Sequence, residues 1–139
     1  MAPFHVLDHT ADTGLEVSAP DFASLLVEAS RGMTALVFGP QAAGAVPAGT
    51  VVRAEADSAA GLLAAWLEEL LVVAEAGELA LTDFVVDGLE EQAVTGRVGG
   101  QPAGAIPLVG PPIKAVTYHG LQVIEAPDGT WQARIYFDV

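Results

Sequence analysis

The chain is 139 residues long and 52% hydrophobic, enough for one compact domain with its own core. Its 18 acidic residues against five basic ones leave a net charge of −13, which argues against direct nucleic-acid binding, since neutralising phosphates needs clustered Lys and Arg. No cysteine is present, so disulfides, thiolate zinc sites and cysteine nucleophiles are excluded, and the composition is compatible with a cytoplasmic protein.

The chain opens on a short strand, Phe4 to Leu7, without the basic flank of a signal peptide. It runs into Asp8-His9-Thr10-Ala11-Asp12-Thr13-Gly14, which crowds two carboxylates, an imidazole and a hydroxyl into an otherwise apolar N-terminus. Taken alone, that stretch reads first as an Asx-turn before a second strand, Leu15 to Ser18, and second as a turn whose Asp side chains hold a cation. Asp21 then caps a helix to about Phe38, ended by Gly39-Pro40, with Phe22, Leu25, Leu26, Ala29, Met33, Leu36 and Val37 on its buried stripe. Gly32 inside that helix suggests close contact with another backbone.

Thr50 to Ala56 reads as a strand, and Asp57 or Ser58 caps a second helix, about Ala59 to Glu75. This helix carries Leu62, Leu63, Trp66, Leu67, Leu70, Leu71 and Ala74 at helical spacing, with Glu68, Glu69 and Glu75 off the stripe. It is too short an apolar run to span a bilayer and reads as the central core helix. Phe84 to Val86 and Ala93 to Val98 then form two strands, joined through Asp87-Gly88. Gly99 to Pro112 is dense in glycine and proline and reads as a loop laid on a surface, with no domain boundary in it. Lys114 to Leu121, Gln122 to Glu125, the turn Pro127-Asp128-Gly129 and a last strand from Trp131 complete the chain. Taken alone, Lys114 is a strand-start charge, and Tyr118 and His119 are half-buried strand residues. The order of elements indicates an α+β fold: two layers, a mostly antiparallel sheet with two main helices on one face.

The last strand alternates with period two, so Trp131, Ala133, Ile135 and Phe137 share one face and Asp138 lies on the other, beside the α-carboxylate of Val139. If the strand from Phe4 pairs next to it, Asp12 and these terminal carboxylates meet. Such a group repels itself unless a cation joins it, and oxygen-only ligands suit a hard divalent ion such as Ca2+, Mg2+ or Mn2+.

Four blocks, Asp8 to Gly14, Trp66-Leu67-Glu68-Glu69-Leu70-Leu71, Lys114-Ala115-Val116-Thr117-Tyr118-His119 and Ala133 to Val139, together resemble the archease family, in family order and across essentially the whole chain. The resemblance implies a small α+β accessory protein that helps an RtcB-type RNA ligase form its guanylylated intermediate and turn over. It implies a metal site on Asp12, Asp138 and Val139, a function-linked Lys114, and Asp8, His9, His119 and Glu69 as further functional candidates. The chain departs from the family's usual form at Glu68, where Asn is common, and in the almost wholly apolar stretch Gly99 to Pro112. There is no G-x-S-x-G and no phosphate-cradling G-x-x-x-x-G-K-[ST], so no catalytic residue is assigned. A metal-dependent hydrolase of phosphate esters and a general chaperone are the alternatives to a ligase activator.

Overall fold

The computed structural model describes residues 3–8, 12–42 and 48–139, with the side chains of Leu7, Asp8 and Asp12 outside that description. Among the described residues, seven strands and two α-helices follow in the order β1 (Phe4–Asp8), β2 (Asp12–Ala19), α1 (Phe22–Phe38), β3 (Thr50–Glu55), α2 (Ala59–Gly77), β4 (Leu79–Leu89), β5 (Ala93–Pro102), β6 (Ala115–Glu125) and β7 (Trp131–Asp138). All pairings are antiparallel, and the class is α+β as the element order indicates. The strands divide into two sheets, one of four strands in the order β1-β2-β7-β6 and one of three in the order β3-β5-β4. Each helix touches strands of both sheets, so the helices join the sheets into one molecule. No helix among the described residues is long and apolar enough to cross a membrane.

Both helices start where a side chain satisfies an orphan amide. Asp21 Oδ1 accepts from the Ser24 amide at 2.7 Å, and Ser58 Oγ from the Gly61 amide at 3.0 Å. Gly39, at φ 76°, closes α1 by donating its amide to the Ala35 carbonyl at 2.9 Å, and Glu78, at φ 52°, closes α2. The apolar stripes meet in one core built around the fully buried Trp66, Phe137, Leu15, Leu25 and Leu67. Trp66 Nε1 donates to Ser30 Oγ on α1 at 2.9 Å, and Ser30 Oγ donates to the Leu26 carbonyl at 2.7 Å, so the indole enters the core with its polar atom satisfied. A side chain at Gly96 of β5 would collide with the Val85 carbonyl and meet Trp66 Cη2 at 2.8 Å. The indole tip therefore rests against bare backbone.

Several expectations change, and β4, expected at Phe84 to Val86, runs from Leu79 to Leu89. The neighbour of β7 is β2 rather than β1, because Leu15, Val17 and Ala19 make β2 a buried inner strand, whereas β1, with Val6 54% exposed, forms the edge. Asp87-Gly88 lies inside β4 at a register shift and is not the turn; the chain reverses at residues 90–92, where the Glu90 amide donates to the Ala93 carbonyl at 2.8 Å. The β4–β5 ladder resumes at Gly88 and Leu89, and Arg97 of β5 grips Asp87 beside it through two nitrogens at 2.8 and 3.0 Å. Gly32 makes room for side chains rather than backbone, since a Cβ there would sit 2.8 Å from Leu15 Cδ1 and 3.1 Å from Phe4 Cγ. Residues 99–102 extend β5, because Gly100 lets Ala80 of β4 approach, and the irregular segment begins beyond a short 3-10 turn at Ala103–Ala105.

Candidate functional site

Because β7 lies between β2 and β6, the end of the chain sits inside the larger sheet rather than at its margin. The register places Asp12 of β2 directly opposite Asp138, and Ala115 of β6 opposite Asp138 from the other side. The Lys114 amide donates to the Asp138 carbonyl at 2.8 Å, which ties the segment before β6 to the last residues of the chain. Asp138 is exposed, on the face opposite the buried Ala133, Ile135 and Phe137, and Val139 is half-buried. Of the N-terminal candidates, His9 lies outside the described residues; Asp8 and Asp12 are described as backbone only, Asp8 pairing with Thr13. Among the described residues no three His, Asp or Glu side chains form a metal-holding group, and the set Asp12, Asp138 and Val139 includes one whose side chain is not described. The donors this row offers are all oxygens, a set that fits a hard cation and not a soft one.

One row further in, Gly14 is opposite Tyr136, with Thr117 beyond it. A Cβ at Gly14 would lie 2.7 Å from Tyr136 Cδ1, and one at Gly120, at φ 74°, 2.9 Å from Tyr136 Cε2. The tyrosine ring thus lies between two glycines, next to the acidic row. In the row after that, Arg134 pairs with Glu16 at 3.1 Å.

All four arginines are spent on neighbouring acids: Arg31 on Glu28 at 3.3 Å, Arg53 on Glu55 at 2.8 Å, Arg97 on Asp87 at 2.8 Å and Arg134 on Glu16. The Arg97 hydrogen bond holds the Asp87 carboxyl below the usual carboxylate range. Lys114 is exposed and makes no ion pair among the described residues. It lines an open cleft of about 510 Å³ between α1 and α2, floored by Leu79 and Leu81 of β4.

Pairing between β6 and β7 lapses between Thr117 and Gln122. Tyr118 and His119 project there as exposed residues, not the half-buried strand positions expected, and the His119 amide donates to Thr117 Oγ1 at 3.1 Å. Burial of the Tyr118 phenol, although the residue as a whole is 60% exposed, raises its pKa, helped by the charge and hydrogen bond of Glu68 on α2. Glu68 of α2 therefore lies beside the Tyr118 phenol of the irregular part of β6. Glu69 is exposed on α2, outside the ladder row of Asp138. Sequence reasoning missed Tyr136 and the cleft. The period-two pattern of β7 places Tyr136 on the face of Asp138, but only the cross-strand register shows Gly14 beneath its ring; the cleft is formed by residues far apart in sequence.

The sequence model of the Archease protein family (MTH1598/TM1083) matches residues 4–139. The protein archease of Methanopyrus kandleri is 33% identical over 144 residues, covering 99% of this chain and 99% of the relative. That of Methanosarcina barkeri is 27% identical over 142 residues, covering 98% and 95% respectively. The solution structure of protein 1598 from Methanobacterium thermoautotrophicum superposes with a TM-score of 0.75 at 24% identity, covering 100% of both chains. The crystal structure of an archease from Thermotoga maritima, described as a possible chaperone, superposes with a TM-score of 0.58 at 20% identity, covering 96% of this chain and 94% of that one.

Proposed function

The chain belongs to the archease family, and on that premise we propose that it is a non-catalytic, cation-binding accessory protein that promotes guanylylation and multiple turnover of an RtcB-type RNA ligase. The observation that carries the reading is the ladder row in which Asp12 stands opposite Asp138, one residue from the terminal carboxylate, with Lys114 bonded through its amide to Asp138. Like charges directly opposite on a ladder destabilise it, so acids in this position need a reason. Asp12, Asp138 and the Val139 carboxylate would hold a divalent cation such as Ca2+, Mg2+ or Mn2+. The cation's contribution is to neutralise these carboxylates and to offer a positive centre to phosphate oxygens.

The chain's own residues do the rest. β2 and β7 present the acidic row at the end of a sheet whose other face is core, so it can enter a partner's active site without unfolding. Lys114 supplies the positive charge beside that row and makes no ion pair among the described residues. A chain of charge −13 is repelled by RNA and attracted to the basic rim that an RNA enzyme needs, so the partner is the enzyme rather than its substrate.

The test is the guanylylation rate of the cognate ligase with wild-type protein and with Asp12→Ala, Asp138→Ala and Lys114→Ala, each checked for folding by circular dichroism. Each variant is expected to remain folded and to lose stimulation. Folded variants that stimulate like wild type would sink the mechanism, and hydrolysis of phosphate esters by the protein alone would replace it with the hydrolase reading.

A further inference from the structure

The cleft between α1 and α2 is not accounted for by the acidic row, yet it adjoins it. Pro112, Ile113 and Lys114 line it, and the amide of Lys114 is the one bonded to Asp138. The walls are apolar: Val37 and Phe38 from the last turn of α1, Leu70, Leu71 and Ala74 from α2, and Leu79 at the start of β4. Most of these are only half-buried, although they lie against the main core, because no described residue covers them. The volume, about 510 Å³, is in the range of built binding sites.

The apolar surface continues outside the cleft. Leu108 and Val109 are 61% and 66% exposed, and the Val109 amide donates to the Val37 carbonyl at 2.7 Å, which fixes this loop beside the wall. An apolar surface that runs on past the cleft suits a polypeptide segment better than an enclosed small molecule. Glu75 stands at the rim and Glu78 follows at the end of α2, both exposed, while Asp138 lies on the side of Lys114.

We propose that this cleft is a docking site for the protein partner, receiving one or two bulky apolar side chains from a segment flanked by Lys or Arg. The proposal rests on the accessory-factor reading and says how the partner is held while the acidic row acts. Anchors in the cleft contribute residence time, and the exposed Glu75 and Glu78, in a chain of charge −13, favour basic flanks.

The experiment measures affinity of the cognate ligase by surface plasmon resonance, with sedimentation of each protein alone. Ala74→Trp fills the cleft and Glu75→Lys reverses the rim charge; neither touches the acidic row. Both should retain wild-type Ca2+ binding by calorimetry and a folded circular dichroism spectrum. Ala74→Trp should weaken ligase binding at least tenfold, and Glu75→Lys should slow association and flatten its salt dependence. If Ala74→Trp fails to fold, Glu75→Lys decides. Folded variants that bind with wild-type affinity overturn the docking site, while stimulation by wild type leaves the function standing. Wild type that neither binds nor stimulates the ligase overturns the function and this inference together. Self-association of wild type that Ala74→Trp abolishes makes a second copy the occupant, and also overturns it.

Discussion

Trp66 shows how much one side chain can connect. Its ring is fully buried on α2, its nitrogen is bonded to Ser30 on α1, and its tip lies against Gly96 of β5. Trp66→Ala is expected to cost about 3–5 kcal/mol, as large aromatic deletions in cores do. A denaturant melt showing a loss below about 1 kcal/mol would refute that packing. Gly14 has the opposite role: it is needed for the side chain it lacks. Gly14→Val should displace the Tyr136 ring from between Gly14 and Gly120 and strain the β2–β7 ladder two residues from Asp12. Lower Ca2+ affinity together with a lower melting temperature is the expected result, and unchanged calorimetry and melting would show that the ring does not brace the acidic row.

At the scale of elements, the start of α1 is held by an ionisable cap. The hydrogen bonds from Ser24 to Asp21 lower the Asp21 pKa, so the folded state favours the carboxylate. A lowered folded value means that the cap's stabilisation is fully present above the ordinary aspartate pKa and is lost as pH falls through the folded one. Asp21→Ala should cost about 0.5–2 kcal/mol at neutral pH, and Asp21→Asn should keep most of the cap while removing its share of the acid dependence. Thermal melts of the three proteins between neutral and strongly acidic pH check this; identical acid sensitivity of wild type and Asp21→Asn would rule it out. The ends of α1 and the start of α2 were legible in the sequence because capping is local chemistry. Asp87-Gly88 misled because its strong turn signal is local, whereas the pairing with β5 runs on through Gly88 and Leu89.

At the scale of the whole molecule, a bound cation would join β2, near the start of the chain, to the last strand, β7. Ca2+ should therefore raise the melting temperature of wild type, by an amount equivalent to about 2.7 kcal/mol at a hundred times its dissociation constant. Asp138→Ala should remove the rise, and a short extension after Val139 should weaken it by moving the terminal carboxylate. Scanning calorimetry with and without Ca2+ measures both, and an equal rise in wild type and Asp138→Ala would place the ion elsewhere. The charge of −13 predicts that association with a basic partner slows as salt rises.

The sequence by itself determined the two helices, their buried stripes and the outward face of Asp138, because periodicity and capping are properties of neighbouring residues. Its four blocks were also enough to indicate the family. Only the tertiary structure decided that β2 rather than β1 lies beside β7, that the strands divide into two sheets, and that Lys114 connects an acidic row to an apolar cleft. The physical reason is that strand order and clefts depend on which apolar faces bury one another best. That competition is settled between residues as far apart as Asp12 and Asp138, and no local pattern encodes it.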